Sequence, residues 1–143
     1  EMCIRDRVIA DGSMHGVSPQ VWAERAIDLY RQYEADRIVV EVNQGGDLVT
    51  SVLRQIDGVV PIQTVRAARG KIVRAEPVAA LYEQGRVRHR GVFKGLEDEL
   101  RAMTVGGYKG RGSPDRADAL VWAITNLLIA SAEKNQNPRV RRL

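Results

Sequence analysis

Apolar residues recur at helical spacing in several segments of the chain, which predicts helices separated by shorter apolar runs. The first predicted helix opens with Ser18 as a candidate N-cap and Pro19 at the first helical position, a favourable start. Gly85 is placed to end another helix, because glycine readily adopts the backbone conformation found after a helix C-terminus. The predicted helices cover residues 18–33, 47–56, 75–85, 96–103 and 113–133.

Short runs rich in β-branched residues lie between these helices and predict strands at residues 8–10, 37–42 and 61–66. Strands that alternate with helices indicate an α/β layered domain. The run "RIVVEV" (37–42) is unusual because it reads as a buried strand yet places Glu41 near its end, directly before "NQGG". An acid at the mouth of a buried strand requires an explanation.

Composition limits the possible explanations. The chain has 143 residues, of which 44% are hydrophobic and 28% charged, as expected for one globular domain with a core. One cysteine and two histidines exclude an internal disulfide framework and make a Cys/His zinc cluster implausible. No apolar run approaches the roughly 18 residues that cross a bilayer, so we expect no membrane partner.

The net charge of +4 is concentrated in basic clusters. The segment 66–76 contains Arg69, Lys71 and Arg74, and the glycine-rich segment 106–112 contains Lys109 and Arg111. Further arginines lie in residues 85–90 and in the final "RVRRL". Such clusters suit contacts with nucleic-acid phosphates. Charged faces that serve only to keep the surface solvated are an equal alternative.

Glu41 is predicted to lie where functional groups gather in α/β folds, beyond the carboxyl end of a strand. The simpler interpretation, favoured for a single acid of this kind, is a structural ion pair with Arg37 or Arg66. Asp115 and Asp118 add a second group of acids in the first turn of the last helix, three residues apart on one face. Acids at that position also stabilise a helix through its dipole. Together the acids are consistent with a Mg²⁺ or Mn²⁺ site for phosphoryl transfer.

Several ordered segments resemble a known family. "SPQVWAERAIDLYRQYEADRIVVEVNQGGDLV", "RGKIVRAEPVAALYEQGRVRH", "LEDEL" and "SPDRADALVWAIT" are similar to the C-terminal nuclease domain of the terminase large subunit. The terminase large subunit is the DNA-packaging motor protein of tailed phages and gene transfer agents. The resemblance covers roughly residues 8–130. The resemblance implies an RNase H-like fold, with a mixed sheet flanked by helices. It also implies a metal-dependent endonuclease that cuts concatemeric double-stranded DNA. The alternatives are another RNase H-like enzyme, of resolvase or transposase type, and a non-catalytic DNA-binding module.

The resemblance also implies roles for individual residues. The family's catalytic and metal-binding carboxylates map onto Glu41 and Asp118, with Asp115 as a further acid and Mg²⁺ or Mn²⁺ as the expected cofactor. Lys71 and Arg74 are expected to contact DNA phosphates or to organise these acids. By position, Trp122 is expected to be a core residue. Expected partners are double-stranded DNA, the portal protein and the terminase small subunit, within an oligomeric ring in the cytoplasm of a bacterial host.

The ends of the chain differ from the family pattern. "EMCIRDR" (1–7) matches nothing in the family and resembles translated sequencing-adapter read-through, so we expect a non-native leader. The expected nuclease domain, residues 8–133, lacks the family's first strands and their aspartate ligand, and residues 134–143 form a basic, flexible tail. Asp11 is assigned to a turn. No G-x-x-x-x-G-K-[ST] motif is present, so ATP binding would belong to an absent ATPase domain. A weakly active fragment is therefore expected.

Overall fold

A computed structural model describes residues 7–42 and 47–129. The strands are β1 (Arg7–Val8), β2 (Ile38–Glu41), β3 (Ile62–Val65), β4 (Arg88–His89), β5 (Met103–Thr104) and β6 (Gly107–Tyr108). The helices are α1 (Pro19–Gln32), α2 (Asp47–Ile56), α3 (Lys71–Glu83), α4 (Lys94–Ala102) and α5 (Asp115–Ile124), and a π-helical turn (Thr125–Ile129) continues α5. The predicted α/β class is confirmed.

The strands pair in twos within the described residues. β2 and β3 are parallel, with Glu41 opposite Val65 at their carboxyl ends, and β1 and β4 are also parallel. β5 and β6 form a short antiparallel hairpin that the sequence pattern did not predict. In the part of the chain described here, the strands thus form three small two-stranded sheets, two parallel and one antiparallel. Parallel pairing of β2 and β3 directs Glu41 towards one edge, as expected from the strand pattern.

Buried apolar side chains form two clusters. The first cluster lies among α1, α2, β2 and β3, and its buried members are Ala23, Ile27, Val40, Val42, Leu53 and Val60. The second cluster lies among α3, α5 and the segment before β4, and its buried members are Val78, Leu81, Val87, Val121 and Ile124. Burial of such side chains is the principal stabilising contribution to each half of the domain. β2 and α5 thus belong to different clusters.

The helix boundaries confirm several predictions and correct one. Ser18 is the N-cap of α1, and its hydroxyl accepts a hydrogen bond from the Val21 amide at 3.4 Å. Gly85 follows α3 with a φ of 66°, a left-handed conformation that glycine adopts without strain. However, α3 begins at Lys71 and not at residue 75, so Pro77 lies inside the helix. A start at residue 75 would place Pro77 in the first turn, the part of a helix that tolerates proline best.

The N-terminal half of α5 is fixed by α4. Glu99 accepts a hydrogen bond from the Ala117 amide at 3.0 Å and another from Arg116 at 3.2 Å. A carboxylate at a helix N-terminus satisfies amides that have no partner within the helix and interacts favourably with the helix dipole. The predicted helix 113–133 is shorter in its α-helical part, and residues 130–133 lie outside the described residues. No described helix is long and apolar enough to cross a membrane.

Candidate functional site

The end of β2, the start of α3 and the first half of α5 meet around one indole ring. Trp122 in α5 donates a hydrogen bond from its Nε1 to Glu41 Oε2 at 3.1 Å. Asp118 lies four residues earlier on α5, which places it on the same face of the helix, one turn away. The ring of Trp122 therefore connects the strand-end acid to the helix that carries the other predicted acids. Asn43–Gly46, which follow Glu41 in sequence, lie outside the described residues.

Asp118 is the single buried charged residue in the described part of the chain, with 3% of its surface exposed. Nη2 of Arg74 donates to both of its carboxylate oxygens, at 2.6 and 2.8 Å. Nζ of Lys71 lies 3.3 Å from the second oxygen. A buried carboxylate is strongly destabilising unless it is paired and hydrogen-bonded, so these two cations from α3 account for the burial of Asp118.

Arg74 is held from several directions. Its guanidinium carbon lies 4.9 Å from the centre of the Trp122 ring, a cation–π contact. Its Nη1 donates to the Arg69 carbonyl at 2.6 Å. The side chain of Arg74 is only 11% exposed, so its contact with Asp118 is shielded from water. These contacts fix one orientation of the guanidinium between α3 and α5.

Lys71 links Asp118 to the exposed edge of the site. Its Nζ donates to Asp115 Oδ1 and to Ser113 Oγ, each at 2.9 Å, and Ser113 donates to the same Asp115 oxygen at 2.6 Å. Burial opposes the charge on Lys71, but the hydrogen bond to Asp115 and the negative charges of Asp118 and Asp115 raise its pKa. The hydrogen bonds from Ser113 and Lys71 lower the pKa of Asp115, although desolvation opposes the shift.

We call these residues the polar cluster: Glu41, Lys71, Arg74, Asp115, Asp118 and Trp122. The cluster brings together the three predicted acids, but the two acids of α5 have cations as their partners. No group of three or more His, Cys, Asp or Glu side chains among the described residues is arranged to hold a metal ion. The acids as they stand therefore do not fit a ready-made divalent-cation site, because Lys71 and Arg74 already neutralise Asp115 and Asp118.

Comparison with known proteins identifies the family. A family model described as the terminase RNase H-like domain matches residues 5–127. The chain belongs to the terminase RNase H-like domain family. No curated protein and no solved structure matches the chain significantly. The match confirms the predicted resemblance to a terminase nuclease domain. RNase H-like nuclease domains generally use divalent metal ions, and a terminase acts on DNA within the packaging machinery.

The remaining basic residues predicted to bind DNA lie on the surface of the terminase domain. Arg69, Lys109 and Arg111 are exposed, in contrast to Lys71 and Arg74, which are partly buried against the acids. Lys109 directly follows the β5–β6 hairpin. Arg111 precedes Ser113, which contacts Lys71, so this glycine-rich segment leads into the polar cluster. The structure therefore separates the five predicted DNA-binding residues into an exposed group and an acid-paired group.

Two expectations about individual residues change in the terminase domain. Trp122, which we had expected to be a core residue, is a member of the site through its contacts with Glu41 and Arg74. Its spacing of four residues from Asp118 was the sequence signal that could have indicated this role. The alternative ion pair of Glu41 with Arg37 or Arg66 is not formed among the described residues. Arg37 donates instead to Gln63 at 2.9 Å, and Glu41 accepts from Trp122.

Proposed function

We propose that this terminase domain is a divalent-metal-dependent endonuclease that cuts concatemeric double-stranded DNA, with Mg²⁺ or Mn²⁺ as the cofactor. The observation that supports the proposal most directly is the polar cluster. The cluster connects an acid at the end of β2 with two acids of α5, and these are the acids to which the family resemblance assigns the metal-binding role. We assign the catalytic and metal-binding roles to Glu41, Asp118 and Asp115.

Divalent cations supply Lewis-acid stabilisation and an activated water in such reactions. A cation at Asp115 or Asp118 would have to compete with Lys71 and Arg74, which contact these carboxylates at 3.3 Å or less. The three acids carry formal negative charge and would repel DNA phosphates on their own. The adjacent cations therefore also make the approach of a polyanion to the site more favourable.

The exposed basic group supports binding of the DNA backbone. Arg69, Lys109 and Arg111 project from segments that flank the polar cluster. Contacts with phosphates fix the position of a duplex without reading its sequence, which suits an enzyme that acts on packaged DNA of any sequence. By family membership we also propose that the portal protein and the terminase small subunit are partners of the complete motor, which forms a ring in the cytoplasm of the bacterial host.

The test is nicking of supercoiled plasmid with Mg²⁺ or Mn²⁺. It uses the 143-residue chain and a longer chain that carries the family's upstream strands, in which we expect stronger cutting. Glu41→Gln and Asp118→Asn should each abolish cleavage in the longer chain, whereas Glu24→Gln, at an exposed acid of α1, should not. Circular dichroism should show that the variants remain folded.

The same assay separates the alternatives. If the protein binds DNA but shows no metal-dependent nicking, the result would favour the non-catalytic binding module over the nuclease. A strong preference for branched DNA or for particular DNA ends over plain duplex would favour an enzyme of resolvase or transposase type. Full cleavage by the Glu41→Gln and Asp118→Asn variants would show that the polar cluster is not the active site.

A further inference from the structure

The polar cluster contains two cations that differ in how firmly they are held. Arg74 is 11% exposed and contacts a carboxylate, an aromatic ring and a backbone carbonyl. Lys71 is 34% exposed and shares its ammonium group between Asp118 and the much more exposed Asp115. An ammonium group on a flexible stem makes contacts that depend little on orientation, whereas a guanidinium paired through two hydrogen bonds is geometrically fixed. Lys71 is therefore the cation that can leave without breaking the buried pair.

We infer that Lys71 is a displaceable positioning residue, which occupies Asp115 and Asp118 until a DNA phosphate draws it away and the carboxylates accept a divalent cation. The inference rests on the proposed function. It follows from the disagreement between a family that uses divalent metals and described acids whose partners are side-chain cations. DNA and the divalent cation would then bind cooperatively, although they occupy different atoms of the protein.

The charge balance around Asp115 and Asp118 supports this exchange. Two carboxylates and two cationic side chains are neutral together, so an added divalent cation would give this group an excess charge of two. Because like charges at contact distance repel each other even in a strongly screening environment, Lys71 and a divalent cation should exclude each other. Departure of Lys71 towards a phosphate removes that repulsion and leaves the carboxylates with a net negative charge.

The position of Lys71 in sequence also suits the exchange. It is the first residue of α3, directly after Gly70 and close to the exposed Arg69. A phosphate held by the exposed basic residues would lie on the open side of the site, where Asp115 is 77% exposed. Lys71 could then exchange Asp115 for the phosphate while Arg74 keeps Asp118 paired. The exchange therefore requires movement of one side chain and no movement of a helix.

The test measures Mn²⁺ binding to the 143-residue chain by calorimetry, with and without a short DNA duplex. In the absence of DNA, Lys71→Met should bind Mn²⁺ about tenfold more tightly than the unmodified protein, because one nearby positive charge is lost. Lys94→Met is the matched control, since Lys94 is an exposed lysine of α4 that pairs with Asp98. It should leave the Mn²⁺ affinity unchanged. Lys71→Arg retains the charge and should restore weak binding.

Reciprocal coupling provides the second readout. DNA should increase the Mn²⁺ affinity of the unmodified protein several-fold, and Mn²⁺ should increase its DNA affinity by the same factor. This factor should fall markedly in Lys71→Met and stay unchanged in Lys94→Met. Equal Mn²⁺ affinity in all variants, no Mn²⁺ binding at all, or weaker binding by Lys71→Met would each overturn the inference. The predicted coupling, together with no metal-dependent cleavage by the longer chain, would instead refute the proposed function alone.

Discussion

Removal of the Arg74 charge tests the organisation of the site most severely. In Arg74→Met, Asp118 stays buried but loses both hydrogen bonds from the guanidinium, and only Lys71 remains beside it at 3.3 Å. Loss of one partner from a buried ion pair typically costs about 3–5 kcal/mol. Since Lys71 compensates part of the charge and the methionine side chain retains contact with Trp122, we expect the lower end, about 3 kcal/mol. For a domain of this size that corresponds to a melting temperature lower by about 10 °C.

Thermal unfolding followed by circular dichroism measures this change directly, and urea unfolding gives the free energy. The matched control is Arg31→Met, which removes an arginine of α1 whose side chain is 59% exposed and pairs with Asp57. Exposed ion pairs contribute little to stability, so the control should shift the melting temperature far less. Equal shifts in the two variants would refute the conclusion that the Arg74–Asp118 pair holds α3 against α5.

A double-mutant cycle refines this test. Asp118→Asn leaves a buried neutral group beside Arg74, and the combined variant with Arg74→Met has neither charge. The combined variant should therefore be less destabilised than the sum of the two single variants, since the uncompensated buried charge is absent. Strict additivity would indicate that the two side chains do not interact energetically, whatever their distance.

Two further predictions concern pH and salt. The hydrogen bond from Ser113 lowers the pKa of Asp115 below 3.8, so its contribution to stability is present above that pH and is lost as the pH falls through the lowered pKa. Because Asp115 is exposed, the difference in unfolding free energy between the unmodified protein and Asp115→Asn should be below about 1 kcal/mol at neutral pH. This difference should disappear in acid. A constant difference in urea unfolding from pH 2 to 7 would contradict the prediction. Lys109→Ala with Arg111→Ala should weaken duplex DNA binding at every sequence and reduce the slope of log affinity against log salt by about 0.9 per lost phosphate contact. Lys94→Ala should leave that slope unchanged, and an unaltered slope in the double variant would show that both residues are surface charges without a role in binding.

The sequence pattern was sufficient to locate the strand and the helix that carry the acids. The run of β-branched residues located β2 and placed Glu41 at its end, and Asp115 and Asp118 were placed correctly in the first turn of α5. These features depend on local spacing, which a linear sequence displays directly. The predicted start of α3 was four residues too late, since the helix begins at Lys71 and not at residue 75. A start at residue 75 would place Pro77 in the first turn, where a helix tolerates proline, whereas the observed helix contains it further in. Lys71 and Arg74 therefore lay outside the predicted helix.

The partners of the acids could not be deduced in the same way. Arg74 and Asp118 are separated by 44 positions in sequence, and Glu41 and Trp122 by 81. Such pairs depend on how α3 and β2 pack against α5, which local periodicity does not determine. The basic segment 66–76 was therefore equally compatible with DNA contacts and with pairing to the acids. Only the packed fold distinguishes the inward cations, Lys71 and Arg74, from the exposed ones.

The division of the apolar interior into two clusters has a consequence for how the domain unfolds. Each cluster has its own helices and its own buried side chains, whereas β2 and α5 are joined through the polar hydrogen bond of Glu41 and Trp122. Proteins open locally in cooperative units whose free energies of opening differ, and regions with few buried apolar contacts open more easily. Hydrogen exchange at this boundary would thus be governed by a few polar contacts and not by apolar burial. The site proposed for DNA cleavage therefore lies where polar contacts join the two apolar clusters.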